Sequence, residues 1–119
     1  MLAKRLRLSK KSVNSLIQKS RKVHKKTLRA LFSFSDTIKT SHIGVVVPKS
    51  VYKGAVQRNV LRRLIYHCFS ETFLKALPFQ AEILFFTQKD AREASKELLC
   101  ADVEATLKEI SGVSKNKIN

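Results

Sequence analysis

Glycine and proline are scarce in this chain, at three and two among 119 residues. So few exclude a glycine-rich phosphate cradle and a proline-rich linker. No apolar run approaches the about 18–20 residues of a membrane span, so no integral membrane protein and no membrane partner is expected. No apolar stretch follows the first charges, which argues against a secretory signal. Cysteine is limited to Cys68 and Cys100, 32 positions apart, with neither a C-x-x-C nor a zinc-ligand spacing. Two reduced thiols of a cytoplasmic protein are the expectation. His24, His42 and His67 are scattered, without H-x-x-x-H or H-E-x-x-H spacing, so no metal site held by the protein is expected.

Acid is scarcest where base is richest. Nine Asp and Glu stand against 24 Lys and Arg, a net charge of +15. Residues 1–70 hold 17 Lys and Arg and one acid, Asp36, whereas residues 71–119 hold seven and eight. Self-repulsion on that scale works against a compact state and points to a polyanionic partner for the N-terminal part. An arginine-rich, acid-free start also describes a mitochondrial transit peptide. The basic character continues past any cleavable segment, at Lys49, Lys53, Arg58, Arg62 and Arg63, and favours the polyanion. With 44% apolar residues the chain can bury one modest core.

Periodicity predicts an α+β fold, one small sheet layer with helices packed on it. Residues 1–8 read as a basic, extended arm. Ser9 is a fitting N-cap for a short helix over 10–20 with Val13, Leu16 and Ile17 on one face. Residues 21–26 read as a solvated connector. Leu28–Phe34 and His42–Val47 read as two strands of a hairpin, the second stopped by Pro48. A basic loop, 49–54, leads to a long helix over 55–76 that Leu77-Pro78 ends. Residues 81–87 form a third strand, with Phe85 and Phe86 on opposite faces. A last helix starts near Asp90 and stops at Gly112, giving one RNA-binding domain over 1–112 and a disordered tail over 113–119.

The segment Gly54–Tyr66 (GAVQRNVLRRLIY) carries the chemistry. At about 100° per residue, Asn59, Arg62, Arg63 and Tyr66 fall within about 140° of Arg58. Val60, Leu61, Leu64, Ile65 and Cys68 take the opposite, core side. Guanidinium groups fork onto phosphate oxygens and stack on bases, and this helix offers no acid to pair them before Glu71. A nuclease acting alone needs carboxylates for metal ions or a histidine pair, and neither is visible.

These residues resemble the protein subunit of bacterial-type ribonuclease P, over about Arg5 to Ile110. The family's helix reads A-x-x-R-N-R-x-K-R-x-x-R, and Ala55, Arg58, Asn59, Arg62 and Arg63 match it, with Arg62 for the lysine. Val60 and Tyr66 replace two signature arginines, and Tyr66 keeps a place on the basic face where it can stack. Ile43-Gly44-x-x-Val47-x-Lys49 is similar to the strand that ends in a lysine-rich loop. Leu6-Arg7-Leu8 with Val13, Leu16 and Ile17 is similar to the N-terminal segment, where relatives carry phenylalanines.

The resemblance implies a ribonucleoprotein whose RNA subunit cleaves the 5′ leader from precursor tRNA with magnesium. The protein alone is then not catalytic and needs no obligate protein partner. It implies contact with ribonuclease P RNA through the arginine helix and the loop before it, at Lys49, Lys53, Arg58, Asn59, Arg62, Arg63 and Tyr66. It implies a leader cleft between sheet and N-terminal helix, for which Val13, Ile17 and Phe32 are the candidates. It also implies a left-handed β-α-β crossover around the arginine helix, against the usual hand. A ribosomal protein or RNA chaperone is the alternative. A helix-turn-helix DNA reader ranks last, because strand and loop, not a short helix and turn, precede the arginine helix.

Overall fold

The computed structural model describes residues 6–18 and 20–118, so residues 1–5 of the expected basic arm lie outside the described residues. Helix α1 is Lys10–Gln18, strand β1 Arg21–His24, β2 Leu28–Phe34, β3 His42–Val46 and helix α2 Ala55–Tyr66. A short helix α3, Glu71–Lys75, precedes β4, Ala81–Thr87. A 3-10 turn, Lys89–Arg92, leads to helix α4, Lys96–Ile118. The strands lie in the order β1-β2-β4-β3. Antiparallel pairing joins β1 to β2 and β2 to β4, and β3 runs parallel to β4.

The α+β class is as expected, with three corrections to the connections. Arg21–His24 is a strand, not a solvated connector. Its single buried side chain, Val23, gives almost no alternation to read in the sequence, and the strand forms because β2 offers it an edge. β3 is not the hairpin partner of β2, because β4 lies between them. Ser41 fixes that arrangement: its Oγ accepts from the Ala81 amide at 3.0 Å and donates to the Phe79 carbonyl at 3.4 Å. The long helix breaks after Tyr66 instead of reaching Ala76. The amides of Cys68 and Phe69 turn back to the carbonyls of Ile65 and Tyr66, and Ser70 Oγ then caps α3 through the Phe73 amide at 3.0 Å.

The two faces of the sheet bury different clusters. Leu28, Ala30, Phe32, Ile43, Val45, Ile83 and Phe85 face the main core, where Leu61 and Ile65 of α2 and Leu99, Val103, Leu107 and Ile110 of α4 meet them. Leu31 and Leu84 face the other way and pack with Leu16 of α1, alongside Leu8, Val13, Val46 and Phe86. Ser9 Oγ accepts from the Ser12 amide at 3.2 Å, the expected N-cap of α1. Phe85 and Phe86 part to opposite faces as strand parity requires.

Helix α4 starts at Lys96, later than Asp90, because Ser95 Oγ caps it through the Leu98 amide at 3.2 Å. The helix does not stop at Gly112 but continues to Ile118 through residues expected to be a disordered tail. Gly112 has no positive φ, so the left-handed turn that usually ends a helix at glycine does not form. The two cysteines are not free thiols: Cys68, just past α2, is disulfide-bonded to Cys100 of α4. Packing of the two helices brings their Cα atoms to 5.3 Å, a proximity that a separation of 32 residues does not announce.

Candidate RNA interface

Helix α2 turns Leu61 and Ile65 inward and leaves Arg58, Asn59, Arg62 and Arg63 at the surface or half-buried. The expected division of faces holds for these residues and fails for two others. Val60, expected in the core, is 60% exposed, while Tyr66, expected on the basic face, is only 7% exposed. The tyrosine follows the inward turn of Leu61 and Ile65 and joins the main core. Burial pushes its phenol above the ordinary value. Hydrogen bonding to the Val45 backbone and the charges of Arg7 and Arg62 pull the other way.

Arg58 is turned partly to its own chain. Its Nη1 donates to the carbonyls of Lys53 at 2.6 Å and Tyr52 at 3.1 Å, which clamps the basic loop to the first turn of α2. Tyr52 extends the clamp: its hydroxyl donates to the Arg92 carbonyl at 3.2 Å, and the Arg92 guanidinium lies 5.3 Å from its ring centre. Lys49 and Lys53, both exposed, border a hollow of about 370 Å³ with Gln57 and Arg92.

Arg62 Nη1 donates to Asn59 Oδ1 at 2.8 Å, so the amide orients the guanidinium. Asn59, Arg62, Arg63 and Tyr66 line a second concavity of about 220 Å³ together with Arg7. Arg7 arrives from outside the helix, in a parallel bridge with Ile43 beside β3. Sequence reasoning did not place it beside the arginine helix. The only signal was an arginine between two apolar residues in a segment with no regular element of its own.

Of the three cleft candidates, the structure brings two to the α1 side of the sheet. Val13 is half-buried against Leu16, Leu31 and Leu84, and Ile17 is 58% exposed on the same helix. Phe32 is not with them. It is 2% exposed in the main core on the opposite sheet face, edge-on to Phe34. The parity it shares with Leu28 and Ala30 already carries that placement. Phe86 occupies the α1 side instead, with the Arg29 guanidinium 4.7 Å from its ring centre. Across the ladder Lys22 and His24 share that face with Leu31 and Arg29.

Among the described residues no cluster of His, Cys, Asp or Glu can hold a metal ion. The ribonuclease P family model matches residues 2–111. This chain belongs to the ribonuclease P protein family. Its members are the protein subunit of a ribonucleoprotein whose catalysis is by RNA, and the chain serves in maturing the 5′ end of tRNA as part of that holoenzyme. The fold agrees. The Staphylococcus aureus RNase P protein, in a mutant with defective mRNA degradation activity, aligns with a TM-score of 0.76 and 20% identity. That alignment covers 90% of this chain and 89% of the other. The Thermotoga maritima RNase P protein aligns with a TM-score of 0.75 and 18% identity, over 87% of this chain and 96% of its own. No curated protein matches the sequence.

Proposed function

We propose that the ribonuclease P subunit binds the catalytic RNA through the outer face of α2 and the loop before it. The residues are Arg58, Asn59, Arg62 and Arg63, with Lys49 and Lys53. The observation that carries the reading is the concavity on α2, where arginines and an amide converge and, among the described residues, no carboxylate lines the wall. Such a surface fits a phosphate backbone, and its cations offset the repulsion between two RNAs that magnesium otherwise screens alone. The magnesium belongs to the RNA subunit. Tyr66 supports the surface from below and does not stack on bases.

The 5′ leader of precursor tRNA lies along the α1 side of the sheet. Val13, Ile17 and Phe86 supply apolar contact there, and Arg29 and Lys22 meet phosphate. Phe32 has no part in this cleft. The holoenzyme is cytoplasmic, where exchange with glutathione decides whether Cys68–Cys100 stays closed.

Reconstitution at low magnesium tests the reading. Bacterial ribonuclease P RNA and labelled precursor tRNA are mixed with the protein, beside protein-only and RNA-only controls. Correct 5′ cleavage that needs both components is expected. Arg62→Ala is expected to weaken RNA binding about 10-fold without changing the circular dichroism spectrum. No gain from the protein with a cognate RNA would favour a plain RNA-binding module.

A further inference from the structure

The end of the arginine helix is held by a short net of backbone hydrogen bonds and by one covalent bond. After Tyr66 the amides of His67, Cys68 and Phe69 turn back to the carbonyls of Arg63, Ile65 and Tyr66, at 3.0, 2.9 and 3.1 Å. These bonds close the last turn of α2, which carries Arg62, Arg63 and Tyr66. A last turn has no following turn to hold its carbonyls, so it opens more readily than the middle of a helix. Cys68 lies inside this net, and its sulfur is bonded to that of Cys100 in α4. Leu99, Val103 and Leu107 anchor α4 in the main core. The disulfide therefore ties the end of α2 to a fixed neighbour. The start of α2 has a separate anchor, the grip of Arg58 on the Tyr52 and Lys53 carbonyls.

The bond is also open to chemistry. Both cysteines are half-buried and not sealed in the core, which leaves them open to a small thiol such as glutathione. One glutathione thiolate attacks a sulfur of the bond and displaces the other cysteine as its thiolate. A second glutathione thiolate then displaces the first cysteine. The protein gains two electrons and two protons, and the two glutathiones leave as glutathione disulfide. The freed Cys68 thiol has an acceptor in place, since its Sγ lies 3.7 Å from the Leu64 carbonyl oxygen. Opening thus strands no donor at Cys68.

We propose that Cys68–Cys100 is a site of exchange with glutathione, and that the closed bond favours RNA binding by holding the last turn of α2. This rests on the RNA-binding reading of α2. In the dithiol form Leu61 and Ile65 keep α2 on the core while the turn after Tyr66 frays, so Arg63 loses its fixed position first. RNA binding then has to order that turn again, which weakens it. The coupling runs both ways: an RNA that prefers the closed form makes that form harder to reduce.

The test measures the Kd of the whole chain for ribonuclease P RNA in the oxidised form, after reduction by dithiothreitol, and in a Cys68→Ser, Cys100→Ser double variant. Reduction should raise Kd about 5-fold, and the double variant should bind like the reduced protein in either condition. Equal Kd for oxidised and reduced wild type, with Arg62→Ala still weak, would overturn the proposal and leave the α2 reading standing. Arg62→Ala binding as tightly as oxidised wild type would sink the α2 reading itself.

Two further readouts separate a local tie from a general loss of structure. On reduction, hydrogen exchange should quicken at the amides of His67, Cys68 and Phe69 and stay unchanged at Arg58, whose amide bonds to the Gly54 carbonyl at 3.2 Å. A circular dichroism spectrum that collapses on reduction would refute the local account. The protein is also equilibrated in mixtures of glutathione and glutathione disulfide, with and without the RNA, and the closed fraction is read by thiol alkylation and mass spectrometry. The RNA should move the midpoint ratio of squared glutathione to glutathione disulfide by the same factor of about 5, towards the closed form. A midpoint that the RNA leaves in place would rule the coupling out.

Discussion

Tyr66 shows how one side chain can support a basic face without facing outward. It lies under Arg7 and Arg62, and burial favours its neutral phenol. An unfolded chain titrates this group near 10, while the folded protein holds the proton to higher pH. Below that value both states are protonated and stability is unaffected. As pH rises past it, the unfolded state ionises first, and the contribution is lost through the raised folded value. Melting temperatures of wild type and Tyr66→Phe, followed from about pH 9 to about pH 11, should therefore diverge, with wild type falling more steeply. Parallel curves would refute a buried neutral phenol. The helical wheel placed Tyr66 within the basic face, between Arg62 and Asn59, and only packing against the neighbouring sheet edge turns it inward. Arg58 was legible as a cation on the outer side of the arginine helix. Its grip on the Tyr52 and Lys53 carbonyls was not, because it depends on the loop's path.

At the scale of elements, the turn of the β1–β2 hairpin is tied to α4 by polar contacts as well as by the core. Thr27, fully buried in the turn between the strands, gives both its amide, at 3.1 Å, and its hydroxyl to Asp102 Oδ2. Lys25 adds an ion pair to Glu109 at 3.5 Å, exposed enough to contribute little. Asp102→Ala leaves two buried donors without an acceptor and should lower stability by about 2 kcal/mol in urea denaturation. A loss under about 0.5 kcal/mol would show that water reaches Thr27. Helix α2, β2 and β4 were legible because each carries a full period of apolar residues. β1 was not, since one valine among Arg21, Lys22 and His24 makes no pattern. The order of strands was equally hidden: β3 and β2 adjoin in sequence, yet β4 enters between them and takes both edges.

Over the whole molecule, the charge imbalance and the arginine helix carried the functional class, and the structure adds where the charges converge. The disulfide is the feature the sequence concealed most fully, because it depends on α2 and α4 meeting. Reduction should lower stability by roughly 2–4 kcal/mol, the usual effect of releasing a loop of this size. It is read as a fall in melting temperature on adding dithiothreitol, with Cys68→Ser as the matching variant. Equal melting in both conditions would show that α2 and α4 hold together by packing alone.

The same bond has a consequence for a damaged copy of the protein. Residues 68 and 100 close a covalent ring that contains β4, the strand paired to both β2 and β3. A protease that cuts the exposed chain inside that ring, near Gln80 or Lys89, opens the backbone but frees no fragment. The nicked chain runs as one band on a non-reducing gel and as two after reduction, so the wound stays invisible until the sulfurs part.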